Sequence, residues 1–202
     1  MRAVLCNEWG GPEKLRIEEI PATPLREGAV RITVHAAGVN FADLLLIGGQ
    51  YQEKPAFPFI PGGEVAGVVS EVGPGVHELK AGDRVMALTG LGGYAEDTVV
   101  DADRVFQIPE NMDFATAGCF PVAYGTSQGA LVWRARLQPR EWLLVLGAAG
   151  GVGLSAVEIG KGMGARVIAC ASGPEKLAIA QRHGADYLID YSHEDIRGRV
   201  KA

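Results

Sequence analysis

The second half of the chain alternates apolar strand-like runs with helical patterns, and this alternation limits the possible folds more than any other feature. The predicted strands and helices are, in chain order, Trp142–Leu146, Gly153–Met163, Arg166–Cys170, Pro174–His183 and Tyr187–Asp190. A β-α-β-α-β order is typical of parallel strands joined by right-handed helical crossovers. It predicts one half of a doubly wound parallel sheet.

The first part of the chain has a different pattern, in which short β-type runs are separated by glycine and proline turns. These runs are Arg2–Cys6, Leu15–Ile20, Val30–Ala36, Val65–Val72, Arg84–Leu88, Tyr94–Val100 and Arg104–Ile108. One short helix is predicted over Phe41–Ile47, and Phe114–Trp133 is predicted to be mostly helical. We therefore predict an all-β domain over residues 1–112, of barrel or sandwich type, and an α/β domain over 113–202.

Composition excludes several classes of protein. The chain has 202 residues, 48% of them apolar, and a net charge of -5 without a run of basic residues, so disorder and nucleic-acid binding are not expected. Neither Met1–Gly10 nor Leu143–Val157 is apolar for long enough to be a secretion signal or a membrane helix. Cys6, Cys119 and Cys170 lie far apart and form no zinc or disulfide pattern, which predicts a reducing, cytoplasmic setting.

A glycine-rich loop follows the strand that ends at Leu146 and leads into the next helix. Gly147 suits a tight turn, Gly150 and Gly151 let backbone N–H groups approach a pyrophosphate, and Gly153 allows close packing of helix and strand. This context predicts a dinucleotide-binding loop. The alternative is a glycine turn that serves packing alone.

The end of the second parallel strand, Cys170–Gly173, carries no acidic residue before Glu175. NAD-specific sites have a carboxylate there, which binds the ribose 2′-hydroxyl. Ser172 and Lys176 instead suit a 2′-phosphate, which favours NADPH, although Lys176 taken alone also fits a solvated helix lysine. Tyr191 is a candidate to cover the adenosine end or to cap the strand edge.

Several short motifs resemble the zinc-free NADPH:quinone oxidoreductase family of the medium-chain dehydrogenase/reductase superfamily. They are Gly38-Val39-Asn40-Phe41-Ala42-Asp43, Pro61-Gly62-Gly63-Glu64-Val65-Ala66-Gly67, Gly82-Asp83-Arg84-Val85, Gly93-Tyr94-Ala95-Glu96 and Ala149-Gly150-Gly151-Val152-Gly153. The resemblance implies a GroES-like β-barrel catalytic domain over residues 1–112, followed by the first half of a Rossmann domain. It also implies hydride transfer from NADPH to a quinone or an α,β-unsaturated carbonyl.

Zinc alcohol dehydrogenases of the same superfamily carry metal ligands at positions that correspond to Asn40, Gly63 and Val122 in this chain. None of these three residues supplies a thiolate or an imidazole, so no catalytic zinc is expected. By the same resemblance, Glu64 and Asp43 are expected to be structural hydrogen-bond partners.

The resemblance also implies the residues that contact the cofactor. Asn40 and Thr126 would lie near the nicotinamide and Tyr51 at the substrate cleft, where it is the candidate proton donor. The pyrophosphate contacts would be Ala149, Gly150, Gly151 and Val152, and the adenosine-phosphate contacts would be Ser172, Lys176 and Tyr191. A polar turn residue is the alternative for Asn40, and a surface aromatic is the alternative for Tyr51.

The chain supplies one of the two halves of a doubly wound dinucleotide fold, so we expect it to be about two thirds of a family-length protein. The homodimer typical of the family is not expected here, because the half that forms it is missing. A second hypothesis is therefore a non-catalytic nucleotide-binding relative or an inactive fragment of such a reductase.

Overall fold

A computed structural model describes residues 1–201. The chain divides into two compact units, Met1–Val122 and Ala123–Ala202. The strands and helices of the first unit are β1 (Arg2–Leu5), β2 (Arg16–Glu19), β3 (Ala29–Ala37), α1 (Phe41–Ile47), β4 (Glu64–Val72), β5 (Arg84–Leu88), β6 (Asp97–Asp101), β7 (Val105–Gln107) and α2 (Phe114–Gly118). Helix α3 (Phe120–Gln128) crosses the division.

The first unit is built on a five-stranded antiparallel sheet in the order β6-β3-β4-β5-β7, and β1 pairs with β2 in a separate hairpin. Its core is formed by β-branched side chains that alternate along the strands, among them Val30, Ile32, Val65 and Val69. Two register shifts in β3 bend its pairing with β4. The predicted all-β character of this part of the chain is confirmed.

The predicted domain boundary, between residues 112 and 113, differs from the division after Val122. Helix α2 explains the difference, because it packs against β3, β4 and β5 of the first unit. Phe114 and Ala117 of this helix join Ala66 and Ile108 in one apolar cluster. The change from strand to helix in the sequence therefore comes before the change from one compact unit to the next.

The second unit has the predicted β-α-β-α-β order. A π-helical segment, Gly129–Arg134, follows α3, and the remaining elements are β8 (Trp142–Leu146), α4 (Gly151–Gly162), β9 (Arg166–Ala171), α5 (Pro174–Arg182), β10 (Tyr187–Asp190) and α6 (Ile196–Lys201). The three strands are parallel in the order β10-β9-β8. The described part of the chain contains no helix with the length and hydropathy that a membrane span requires.

Helices α4 and α5 pack on the parallel sheet, and Val157 and Ala180 from them join Val145, Val167 and Ala169 in the core. The alternate side chains of β8 are exposed, with Trp142 54%, Leu144 39% and Leu146 64% accessible. A parallel sheet normally has both faces covered. Within residues 1–201, one face of this sheet is apolar and open along β8, whereas Cys170 and Ile189 on the same face are buried.

Candidate functional site

The glycine loop lies at the carboxyl end of β8 and forms a tight turn into α4. Gly147 has a φ of +64°, which suits glycine, and its carbonyl accepts the Gly150 N–H at 3.0 Å. The Ala148 N–H donates to the Cys170 carbonyl at 3.0 Å, which ties the loop to the end of β9. The loop is therefore fixed between the ends of two parallel strands.

The glycines of this loop have two different roles. A Cβ on Gly153 would lie 2.3 Å from the Gly147 carbonyl oxygen, so helix and strand approach too closely there for any side chain. A Cβ on Gly150 or Gly151 would meet its nearest atom at 3.5 Å or 3.9 Å, which is ordinary contact. Packing therefore requires glycine at Gly153 and leaves room for a side chain at Gly150 and Gly151.

The amino end of α4 is open to an anion. Its N-cap residue is Gly150, which has no side chain to accept the N–H groups of the first helical turn. Such N–H groups have no partner within the helix, and the helix dipole adds partial positive charge at this end. Gly150, Gly151 and Val152 are exposed, and Ala149 is half-buried. The loop can therefore accept a phosphate from solvent.

Two buried serines join α3 to α4. The Ser127 and Ser155 hydroxyls lie 2.9 Å apart, Ser127 also donates to the Val152 carbonyl at 2.8 Å, and Ser155 to the Ala123 carbonyl at 2.9 Å. Both serines are at most 2% exposed. This pair fixes α3, on which the exposed Thr126 lies, against the first turn of α4.

Ser172 and Lys176 come together at the carboxyl end of β9. The Lys176 Nζ donates to the Ser172 Oγ at 3.3 Å, and the lysine is exposed. Tyr191 follows β10 at the same end of the sheet, is 44% exposed and donates its backbone N–H to the Ala171 carbonyl at 3.3 Å. A hydroxyl, an ammonium group and an aromatic ring thus lie at one end of the parallel sheet.

In the first unit, Asn40 is held by two carboxylates. Its backbone N–H donates to Asp43 Oδ2 at 2.7 Å, and its Nδ2 donates to Glu64 Oε1 at 2.8 Å. The other oxygen of Glu64 accepts the Val122 N–H at 2.8 Å. Glu64 is 1% exposed, and its burial raises the pKa of the carboxyl, while the hydrogen bonds from Asn40 and Val122 oppose that rise.

Tyr94 completes this polar cluster. Its hydroxyl donates to Asp43 Oδ2 at 2.9 Å, and it also lies 3.2 Å from the Gly38 carbonyl. Burial raises the pKa of the Tyr94 phenol, and the hydrogen bond to Asp43 raises it further. The predicted structural role of Asp43 and Glu64 as hydrogen-bond partners agrees with these contacts. Tyr94 was not predicted to belong to this cluster.

Tyr51 lies in the loop after α1, two residues beyond Gly49, whose φ is +66°. Its backbone N–H donates to the Leu45 carbonyl at 3.1 Å, and its side chain is 39% exposed. The loop is therefore anchored to α1, and the phenol is accessible to solvent.

A zinc ion does not fit the residues that replace the metal ligands of zinc alcohol dehydrogenases. The Asn40 amide nitrogen donates a hydrogen bond to Glu64 and has no lone pair for a metal, while Gly63 and Val122 have no ligand atom in their side chains. Among residues 1–201, no group of three or more His, Cys, Asp or Glu side chains is arranged to hold a metal ion.

Two further polar groups were not predicted. Asp190, the last residue of β10, accepts the Gly173 N–H at 3.0 Å next to Ser172. Glu158 on α4 accepts hydrogen bonds from the Tyr124 hydroxyl and from His183, which lower the pKa of its carboxyl. An acidic residue at the end of a predicted strand was a usable signal for Asp190. Nothing local in the sequence indicated the Glu158 contacts.

Comparison with known proteins adds to this geometry. Residues 26–110 match the family described as the alcohol dehydrogenase GroES-like domain, and residues 151–202 match the family described as zinc-binding dehydrogenase. The quinone oxidoreductase-like protein 2 homolog of Nematostella vectensis is 44% identical over 99% of this chain and 55% of the relative. The mouse quinone oxidoreductase-like protein 2 is 42% identical over 99% of this chain and 57% of the relative.

A solved structure also shows similarity to a quinone oxidoreductase. The quinone oxidoreductase of Escherichia coli, complexed with NADPH, superimposes with a TM-score of 0.92 at 33% identity, over 100% of this chain and 62% of that one. This chain spans little more than half the length of the first two curated relatives. The fold is thus a GroES-like domain followed by the start of a Rossmann domain, as predicted. The chain is therefore similar, in sequence and in fold, to quinone oxidoreductases and quinone oxidoreductase-like proteins.

Proposed function

We propose that this chain binds NADPH through its second unit and belongs to a zinc-free reductase that transfers hydride to a quinone or an α,β-unsaturated carbonyl. The observation that carries the proposal is the open amino end of α4, behind a loop in which Gly150 and Gly151 leave room for a ligand. The similarity to quinone oxidoreductases, and the NADPH in the Escherichia coli structure, support the choice of cofactor. A cytoplasmic location stays a prediction.

The residues suit the two charged parts of NADPH. The Ala149–Val152 loop would hold the pyrophosphate with backbone N–H groups. Ser172 and Lys176 would bind the 2′-phosphate, and Tyr191 would cover the adenosine. The absence of an acidic residue at Ser172 and Gly173 favours a phosphate over a free 2′-hydroxyl.

Catalytic roles follow from the resemblance. Bound NADPH supplies the hydride. We propose that Asn40, held by Glu64 and Asp43, and Thr126 orient the nicotinamide, and that Tyr51 donates the proton that follows the hydride in enone reduction. The pocket that accepts the quinone or enone is proposed to exclude water, so that the residues act by orientation more than by chemistry of their own.

Equilibrium binding of NADPH to glycine variants tests the cofactor site. Gly150→Ala should weaken NADPH binding at least tenfold without lowering the unfolding temperature, because the added methyl fits the fold but blocks the backbone approach. Gly162→Ala is the matched control, since its methyl enters open space at the other end of α4. Equal affinity in both variants would contradict the proposed pyrophosphate site.

Cofactor preference tests the 2′-phosphate site. Lys176→Ala should weaken NADPH binding by about tenfold, the value of one charge-assisted hydrogen bond, and should leave NADH binding unchanged. An equal loss for both cofactors would remove Lys176 from the 2′-phosphate site.

Turnover tests the reaction. NADPH consumption in the presence of a simple benzoquinone or an enone, and none with an alcohol and NADP⁺, would support the proposed reductase. Tight NADPH binding with no turnover of either acceptor would favour the second hypothesis, a non-catalytic nucleotide-binding protein.

A further inference from the structure

Two aspartates flank β10, and each accepts a backbone hydrogen bond from the β9 side. Asp186 precedes β10 and accepts the Val167 N–H at 2.7 Å, whereas Asp190 ends β10 and accepts the Gly173 N–H at 3.0 Å. Because β9 and β10 are parallel, these bonds lie at opposite ends of the two strands. Ligands of doubly wound sheets bind at the carboxyl end, which is the end of Asp190.

One oxygen of the Asp190 carboxylate accepts three hydrogen bonds. Its Oδ1 accepts the N–H of Gly173 and both the N–H and the hydroxyl of Ser192. These bonds, with that from the Ser192 hydroxyl the strongest, lower the pKa of Asp190, so the group is ionised at neutral pH. These neutral donors stabilise the charged form of the carboxylate. The backbone N–H of Asp190 in turn donates to Glu194 Oε1 at 2.9 Å.

The bond from the Gly173 N–H holds the turn between β9 and α5 on one side, and the Gly173 carbonyl accepts the Leu177 N–H of α5 at 3.3 Å on the other. Gly173 has a φ of +85°, and a Cβ placed there would meet nothing within 4 Å. Glycine adopts many backbone conformations, so a hydrogen bond to its N–H selects one of them. Ser172 precedes this glycine and Lys176 follows it by three residues, so the turn determines how the two side chains meet.

We propose that Asp190 is a positioning residue for the 2′-phosphate of NADPH, because it holds Gly173 and thereby keeps Ser172 and Lys176 in the arrangement that binds this group. The inference rests on the proposed function. Asp190 acts through the Gly173 N–H and does not itself bind the phosphate, which its negative charge would repel.

The test compares two small ligands that differ by the 2′-phosphate alone, adenosine 2′,5′-bisphosphate and AMP. Calorimetry gives the dissociation constants of both ligands for the wild-type chain and for each variant. The measured quantity is the dissociation constant of AMP divided by that of the bisphosphate, so a lower ratio means a weaker preference for the 2′-phosphate. Asp190→Ala should reduce the preference for the bisphosphate about tenfold, the effect of one lost hydrogen bond. Asp190→Asn should keep the preference, because its amide oxygen still accepts the Gly173 N–H.

Asp186→Ala is the matched control, since it also removes a carboxylate that accepts a backbone N–H, but at the opposite end of the strands. It should lower stability and leave the ratio unchanged. Gly173→Ala should lower the ratio as Asp190→Ala does, because a side chain disfavours the positive φ while meeting no neighbour. This variant decides the question if Asp190→Ala does not fold.

The proposal is overturned if Asp190→Ala, or Gly173→Ala in its place, leaves the ratio at the wild-type value. It is also overturned if Asp186→Ala lowers the ratio as much, because the effect would then be general loss of structure. A wild-type chain that does not prefer the bisphosphate would contradict the proposed 2′-phosphate site itself and this inference with it. A wild-type preference with no effect of Asp190 would contradict this inference alone.

Discussion

The antiparallel sheet of the first unit and the parallel sheet of the second expose their apolar side chains to different degrees. Val30, Ile32 and Val65 in the first are fully buried, whereas Leu144 and Leu146 in the second are 39% and 64% exposed. The strands are similarly apolar in sequence. Apolar content therefore predicts that a strand forms, but the layers packed against it decide whether its side chains contribute to stability.

The two units also differ in how they hold their carboxylates. Glu64 in the first is buried, and its burial raises the pKa. Asp186 in the second is partly exposed and bonded to Lys161 and the Val167 N–H, which lower its pKa. Lowering the pH should therefore change the stability contributions of these two carboxylates in opposite directions.

The largest expected difference is in the cost of trimming an apolar side chain. Ile32→Ala should reduce the free energy of unfolding by about 2–5 kcal/mol, because it leaves a cavity in the core. Leu146→Ala should cost less than about 0.5 kcal/mol, because the side chain is largely exposed. Urea unfolding of both variants measures this. A comparable loss in Leu146→Ala would show that this face of β8 is covered in solution.

Glu64→Gln should cost about 1–3 kcal/mol, because an amide NH₂ cannot replace the oxygen that accepts from Asn40 or Val122. The cost should depend on pH. A carboxyl whose folded pKa is raised contributes stability below its unfolded pKa of about 4.3 and loses it as pH rises through the folded pKa. The advantage of the wild type over Glu64→Gln should therefore be larger at pH 4 than at pH 8.

Asp186→Asn should show the opposite dependence of stability on pH. Its lowered folded pKa contributes stability above the unfolded pKa of about 3.9, and this contribution is lost as pH falls through the folded value. The advantage of the wild type over Asp186→Asn should thus shrink on acidification. Urea unfolding at several pH values measures both variants. If the advantage of the wild type changed with pH in the same direction for both variants, the contrast between the two carboxylates would be contradicted.

The smallest change in stability is expected from polar replacements on the open face of the parallel sheet. The 202-residue chain should self-associate through the apolar face and unpaired edge of β8. Replacing the largely exposed Leu146 by Gln should reduce this association and leave the unfolding free energy within about 0.5 kcal/mol. Size-exclusion chromatography with light scattering measures the self-association. A wild-type chain that is monodisperse at high concentration would contradict the prediction.

Local patterns predicted much of the fold. The bounds of α1, β5, β8 and β10 agree with the predicted ones to the residue, because apolar periodicity and flanking turns determine them locally. Tyr94 was predicted to begin a strand, but β6 begins at Asp97. The Tyr94 N–H donates to the Pro61 carbonyl, and the Glu96 N–H donates to the Arg2 carbonyl, outside the main sheet. Helix α6 was not predicted.

The candidate site was predicted less completely. The glycine loop and the Ser172–Lys176 pair lie within single β-α turns, so spacing was sufficient to bring them together. The bonds from Val122 to Glu64 and from Gly173 to Asp190 join residues 58 and 17 positions apart, and only the folded sheets bring them into contact. Supporting residues of this kind depend on topology rather than on local sequence.

Amide hydrogen exchange of the wild-type chain, with and without NADPH, tests the central claim most directly. We predict that NADPH slows exchange in residues 148–153, at the amino end of α4, and in residues 172–176. NADH should slow exchange in the first segment and much less in the second, because it lacks the 2′-phosphate. Unchanged exchange in both segments with saturating NADPH would contradict the claim that the second unit holds the cofactor.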